Sequence, residues 1–176
     1  MASPKLVASL VRPCTRWVVS RFTREGEYAG LTDLAGVSMD RPALVRVDAS
    51  GRIYAAGGRS DGSIWIFDGS TYRDMYGSGR SGRALDLAFD SAGNALLLGT
   101  DGETSFLARI ARDTYEDLGI TRFPGLFATA LAAAPDGSVY VVGNRGSAPV
   151  VLRLLQGKLA TFDLGLGLDS PQSAAA

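Results

Sequence analysis

Two glycine motifs in the chain carry the spacing of catalytic or phosphate-binding loops. Gly77-Ser78-Gly79-Arg80-Ser81-Gly82 matches G-x-G-x-x-G, and Asp101 follows about 20 residues on. A dinucleotide loop must open a helix, because the helix N-terminus holds the pyrophosphate. Here Arg83–Phe89 and then a turn follow, which read as a strand, so the loop is expected to be a connection. Gly58-Arg59-Ser60-Asp61-Gly62 matches the nucleophile elbow G-x-S-x-G. Activating Ser60 needs a base, normally His, and the chain contains 0 His. The only lysines are Lys5, near the terminus, and Lys158, in an expected hairpin turn, so a Ser-Lys pair is disfavoured too. Asp101 with Glu103, or Asp113 with Glu116 and Asp117, could form an acid/base pair. The second group falls on an outer strand or its turn, where charge faces solvent.

No Asp series fits a calcium loop, and Cys14 is the single cysteine. No metal site, no cofactor and no intrachain disulfide are therefore expected, while a bridge between two copies through Cys14 stays open. The missing imidazole also removes His-ligated metals and His pH switches. The expectation is a protein without enzymatic activity.

Composition sets further bounds. The chain has 176 residues, 46% hydrophobic and 20% charged, which suits one compact domain. Basic and acidic residues balance at 18 each, so charge favours neither nucleic acid nor an acidic membrane surface. Leu6–Val11 is too short for a signal-peptide core, and Leu126–Ala134, broken by Thr129, is too short for a span. A cytoplasmic or virion setting is the expectation. Gly is frequent at 22 residues, which implies many tight turns.

Repeats decide the fold class. Residues 51–57 read GRIYAAG, 93–99 read GNALLLG and 137–143 read GSVYVVG, at spacings of 42 and 44 residues. Each follows a polar turn, and before each turn lies an apolar stretch: Ala43–Val47, Ala84–Phe89 and Phe127–Ala133. The pattern is strand, turn, strand, terminal Gly. A second element follows each hairpin, at 63–77, 106–119 and 150–165, and an earlier copy occupies 17–31. Tyr28, Tyr72 and Tyr115 then recur at 44 and 43 residues. Apolar runs of five to eight residues cut by Gly or Asp-Gly are too short for paired helices, so even Ala-rich Ala128–Ala134 is expected to be a strand. The expected fold class is all-β, a small or partial β-propeller of about 3.5–4 four-stranded repeats of ~43 residues.

The first repeat resembles a kelch-type propeller blade. Ile53-Tyr54-Ala55-Ala56-Gly57-Gly58 is a strand ending in a double glycine, Trp65-Ile66-Phe67-Asp68 carries an aromatic-Asp pair, and Tyr72 supplies the aromatic of the fourth strand. The later repeats place Thr100 and Asn144 at the second glycine, and Arg109-Ile110 and Arg153-Leu154 near the aromatic-Asp pair. No Trp-Asp dipeptide occurs, which disfavours the WD type. Trp65, Phe67, Tyr54 and Tyr140 are expected to pack between blades.

One domain over 1–168 is expected, with a partial blade at 5–33, blades at 43–77, 84–119 and 126–165, and a flexible tail at 169–176. The ring closes with four blades, a C-terminal strand being the candidate to complete the first, or stays half a ring that another copy or protein finishes. Arg outnumbers Lys 16 to 2, a bias that coding composition or interface use would give. In a propeller, strand-two-to-three turns and strand-four-to-next-blade connections share one face. Arg59, Arg80, Arg83, Arg122 and Arg145 are expected there, beside Asp61, Asp101, Glu103 and Phe123, as a partner-binding face. The expected function is a structural or protein-interaction module that assembles with its own copies or a larger complex, a virion component such as a phage capsid or tail protein among them. The alternative is a glycan- or small-molecule-binding propeller, sugar-active through central carboxylates such as Asp101 and Glu103.

Overall fold

The computed structural model describes residues 10–11, 18–22, 25–33, 41–58, 64–67, 72–76, 82–114 and 116–163, and every regular element among them is a strand. Sheet I holds β1 (Leu10–Val11), β2 (Val18–Phe22) and β3 (Tyr28–Asp33). Sheet II holds β4 (Arg41–Val47), β5 (Ile53–Gly58), β6 (Ile64–Phe67) and β7 (Tyr72–Tyr76). Sheet III holds β8 (Arg83–Phe89), β9 (Ala95–Thr100), β10 (Thr104–Ile110) and β11 (Asp117–Pro124). Sheet IV holds β12 (Phe127–Ala133), β13 (Val139–Arg145), β14 (Ala148–Leu155) and β15 (Lys158–Asp163). Each sheet is an antiparallel meander in chain order. The last described strand, β15, stays with β14 as the outer strand of sheet IV.

The repeated turn explains why the first hairpin of sheets II, III and IV looks alike. Asp48, Asp90 and Ala134 open it, and Gly51, Gly93 and Gly137 close it at φ of 85°, 82° and 82°. The glycine N–H returns to the first residue's carbonyl at 3.0, 2.9 and 3.0 Å. This left-handed position admits Gly without the steric cost another residue would meet, giving a turn that ends in a bulge.

Sheet III is packed on both faces, and its sequence shows it. Ala95, Leu97, Phe106, Ala108 and Ile110 face Tyr54 and Ala56 of sheet II. Leu96, Leu98, Leu107 and Phe123 face Leu131, Val141 and Leu152 of sheet IV. A strand covered on both sides reads as a continuous apolar run, which is why Ala95–Leu98 does not alternate. The Tyr54 and Phe89 rings meet at 4.7 Å, so Tyr54 does pack between sheets. The terminal glycines of the repeats also gain a reason. Phe106 lies across from Gly99, and a Cβ there would intrude on its ring. At Gly143 a Cβ would meet the backbone of Phe127 and Ala128, so no side chain fits.

Of the first strands, β8 lies against β4 on one side and β12 on the other without pairing with either. Each carries a bulge at the same register, between Pro42 and Leu44, Ala84 and Asp86, and Ala128 and Ala130. Bulges bend and twist the strand, which lets the sheets splay from a common line. Asp86, 13% exposed, sits just past the bulge of β8 and joins all three strands. Its Oδ1 accepts from Arg46 Nη2 of β4 at 2.7 Å, and its Oδ2 accepts from Leu131 N of β12 at 3.0 Å.

Asp86→Ala strips the acceptor from two part-buried N–H groups, of Leu131 and Leu87, and is expected to cost about 2 kcal/mol. Asp86→Asn keeps an amide oxygen for Leu131 and should cost clearly less. Urea unfolding of both variants checks this; equal losses would put the energy instead at Oδ1, which accepts from Arg46 and from Leu87 N.

Candidate interaction face

The two ends of the sheets differ in chemistry. At the repeated-turn end, carboxylates are tied down. Asp48 Oδ1 accepts from Ser50 N, Ser50 Oγ and Arg52 N at 2.9, 2.6 and 2.9 Å. Asp90 Oδ1 accepts from Ala92 N and Asn94 N, both at 2.9 Å, and its Oδ2 from Asn94 Nδ2 at 3.0 Å and Arg109 Nε at 2.8 Å. Ala134 opens the third turn without a carboxylate, and Asp136 two residues on substitutes. It accepts from Ser138 N at 2.8 Å and from Arg153 Nη2 at 3.0 Å. Arg109 and Arg153 hold equivalent positions on β10 and β14, opposite Leu96 and Tyr140. They are the residues near the aromatic-Asp position, and here they clasp the turn of their own sheet. Arg153 also lies 5.9 Å from the Tyr140 ring centroid.

Burial works to raise the Asp48 and Asp90 carboxyls, but hydrogen bonds outweigh it. The Ser50 hydroxyl and the Arg52 and Ser50 amides, with Arg112 at 3.9 Å, hold Asp48 below the ordinary 3.8. Asn94 and Arg109 do the same for Asp90.

At the opposite end lie the connections between sheets. The Phe123-Pro124-Gly125-Leu126 turn carries the chain from β11 to β12, with Leu126 N donating to Phe123 O at 3.1 Å and Gly125 at φ 69°. Pro then Gly supplies the backbone angles such a turn needs. Ser105 of β10, buried, anchors it from below: its Oγ donates to Leu126 O at 2.7 Å and accepts from Ala128 N at 3.0 Å. Leu126 and Ala128 are thereby held in the core, and Phe127 between them is turned outward, 63% exposed.

The expected face is rearranged by these contacts. Phe123 belongs to β11, not to a connection, and is 2% exposed in the core between sheets III and IV. It is a packing residue, because its register opposite Ser105 aims it at sheet IV. Arg122 also lies within β11, and its Nη1 meets Asp101 Oδ2 at 2.8 Å. Arg83 opens β8 and Arg145 ends β13 rather than lying in loops, yet both are exposed at the connection end. Asp101 and Glu103 sit in the β9–β10 turn as expected. Arg122 first, and then the Thr104 amide, hold the Asp101 carboxyl below its usual range. A carboxyl so held is a poor proton donor near neutrality, and Glu103 beside it is exposed. Asp113, Glu116 and Asp117 are exposed at the β10–β11 turn. Arg59, Ser60, Asp61, Arg80, Cys14 and the tail 169–176 lie outside the described residues.

Phe127 is the residue that sequence reasoning missed. Arg41, Arg83 and Phe127 share one register position, opposite Gly58, Thr100 and Asn144. Aligning the repeats backwards from the second-glycine position would have placed them together. Among the described residues, no group of acidic or sulfur side chains could hold a metal, and no helix is long and apolar enough to cross a membrane.

No protein-family model matches the chain, and no curated protein matches it. Solved structures do match, 33 chains in number. One is a streptogramin B lyase, similar at a TM-score of 0.57 with 14% identity, over 97% of this chain. The fold is a partial β-propeller. The chain spans 57% of the length of that lyase chain, so sheets I–IV correspond to just over half of it. At 14% identity the likeness speaks for the scaffold, and function on propellers is carried by what is grafted on it.

A pH dependence follows from the turn carboxylates. Asp48 and Asp90 protonate at lower pH when folded than when unfolded. Their contribution is whole above the unfolded value of 3.8 and is lost as pH falls through the folded one. The melting temperature should drop between about pH 5 and pH 3, and less steeply in Asp90→Ala, which starts lower at pH 7. Thermal melts across this range test it, and a variant as acid-sensitive as the wild type would refute the assignment.

Proposed function

We propose that the protein is a non-enzymatic interaction module that docks a protein partner on the connection end of its blades. One observation carries this reading: Phe127, 63% exposed, shares that end with exposed Arg83 and Arg145, for which no ionic partner exists among the described residues. An aromatic beside arginines is the composition of interface hot spots, and residues on a rigid scaffold keep their geometry for a partner. The absence of His and the engagement of Asp101 by Arg122 support a role without catalysis. The reading extends to blades of the kelch type, on the pattern of Ile53–Gly58 and Trp65–Asp68, and to assembly with copies of itself. A virion component, such as a phage capsid or tail protein, is the assembly it suits.

Sedimentation velocity at two concentrations should show a species heavier than the 18.4 kDa monomer. Combining Phe127→Ser, Arg83→Ala and Arg145→Ala should move it toward monomer, with Tm changed by no more than about 2 °C. A monomer at every concentration would overturn self-assembly. A large fall in Tm would show that these residues hold the fold rather than a partner.

A further inference from the structure

At the repeated-turn end, away from the proposed partner face, a cleft of about 340 Å³ opens between sheets III and IV. Its walls include Leu96 and Leu107 of sheet III and Val139 and Leu154 of sheet IV. Leu96, Leu107 and Val139 are buried residues of the shared core, so the cleft reaches that core. Ile120 of β11, an exposed large apolar side chain, forms an outer wall. Gly119, Gly137 and Gly157 border the cleft, and a Cβ on any of them would meet nothing within 4 Å. A volume of this size lies at the lower end of small-molecule sites.

The polar groups within the cleft are unequal. Asp90 lines it, but its Oδ1 and Oδ2 already accept from two backbone amides, from Asn94 Nδ2 and from Arg109 Nε. Arg109 uses Nε and Nη2 on Asp90, and its Nη1 has no partner among the described residues. The cleft therefore offers unused donors on a cation beside a wall of Leu96, Leu107 and Val139, with Ser91, Thr121 and Gln156 also lining it, and its one lining carboxylate is already satisfied.

We propose that this cleft binds a small, largely apolar monocarboxylate, its hydrocarbon body against Leu96, Leu107 and Val139 and its carboxylate on Arg109. Apolar burial supplies the affinity, and a charge-assisted hydrogen bond sets the orientation and selects the acid over a neutral analogue.

The test uses the full chain and two probes, 1-naphthoate and 1-naphthalenemethanol, followed by backbone amide shifts. Saturable shifts from naphthoate are expected in 118–121, 137–139 and 154–157, with the alcohol binding about tenfold more weakly. Arg109→Gln should erase that preference. Arg153→Gln removes the equivalent clasp in sheet IV, outside the cleft, and should keep it, which separates loss of the ligand contact from loss of a turn clasp. Ile120→Glu, at an exposed strand position, should weaken both probes. Absence of saturation, shifts confined to the Phe127 end, equal affinity for acid and alcohol, or equal effects of Arg109→Gln and Arg153→Gln would each overturn the proposal.

Discussion

Three strands that lie side by side without forming a ladder leave backbone groups their own sheets do not satisfy. In this molecule β4, β8 and β12 stand in that relation, and Asp86 is the side chain that spans them. A part-buried amide without an acceptor costs about as much as a sizeable fraction of a small domain's net stability. Apolar contact alone would draw sheets III and IV together through Leu131 and Leu98, but it is non-directional and would not set their relative height. The bond from Leu131 N to Asp86 does set it. The repeated bulge then turns each first strand by a similar amount, so one local device at three places yields the fan of sheets.

Charge is used locally rather than as a field. Net charge is 0, and five described arginines meet a carboxylate within one sheet or the next: Arg46 with Asp86, Arg109 with Asp90, Arg112 with Asp48, Arg122 with Asp101 and Arg153 with Asp136. Exposed pairs of this kind add little individually. Their value is geometric, because the planar guanidinium can hold a turn on one side while its stem covers apolar surface on the other. Arg112 shows this: its stem lies over Gly93, and its head reaches Asp48 in the neighbouring sheet. The excess of arginine over lysine thus has a structural use here as well as the proposed interface use.

The fold was legible because its determinants are local and repeated. The GRIYAAG, GNALLLG and GSVYVVG segments became β5, β9 and β13 with their preceding glycine turns, and Ala128–Ala133 proved a strand despite its helix-prone composition. Side-chain roles set by contact across sheets were not legible. Phe123 and Phe127 stand four residues apart on either side of one turn, and which of them faces out depends on Ser105 pinning Leu126 and Ala128 from another strand. Likewise Asp101 and Arg122 are 21 residues apart in sequence and meet only because β10 pairs with β11. Asp86 did carry a signal, a lone acid in Ala84-Leu85-Asp86-Leu87-Ala88, but its partners lie 40 and 45 residues away on either side.

The asymmetry between the two ends constrains where a partner can act. At the repeated-turn end Asp48, Asp90 and Asp136 have donors from their own backbone, so a protein partner that engaged them would have to displace bonds that hold the hairpins. At the connection end, Arg83, Phe127 and Arg145 stand at strand ends, and Leu126 and Ala128 beside Phe127 are fastened by Ser105. Such groups can be engaged without unlocking a turn, and they lose little conformational freedom on binding because their backbone is already set. The cleft at the other end escapes the same argument because Leu96, Leu107 and Val139 form part of its wall and glycines border it. A small molecule there would meet Leu107 and the spare Nη1 of Arg109 while leaving the Asp90 turn intact. The same sheets can therefore carry a protein contact at one end and a small-molecule site at the other, each using groups that the fold itself leaves unspent.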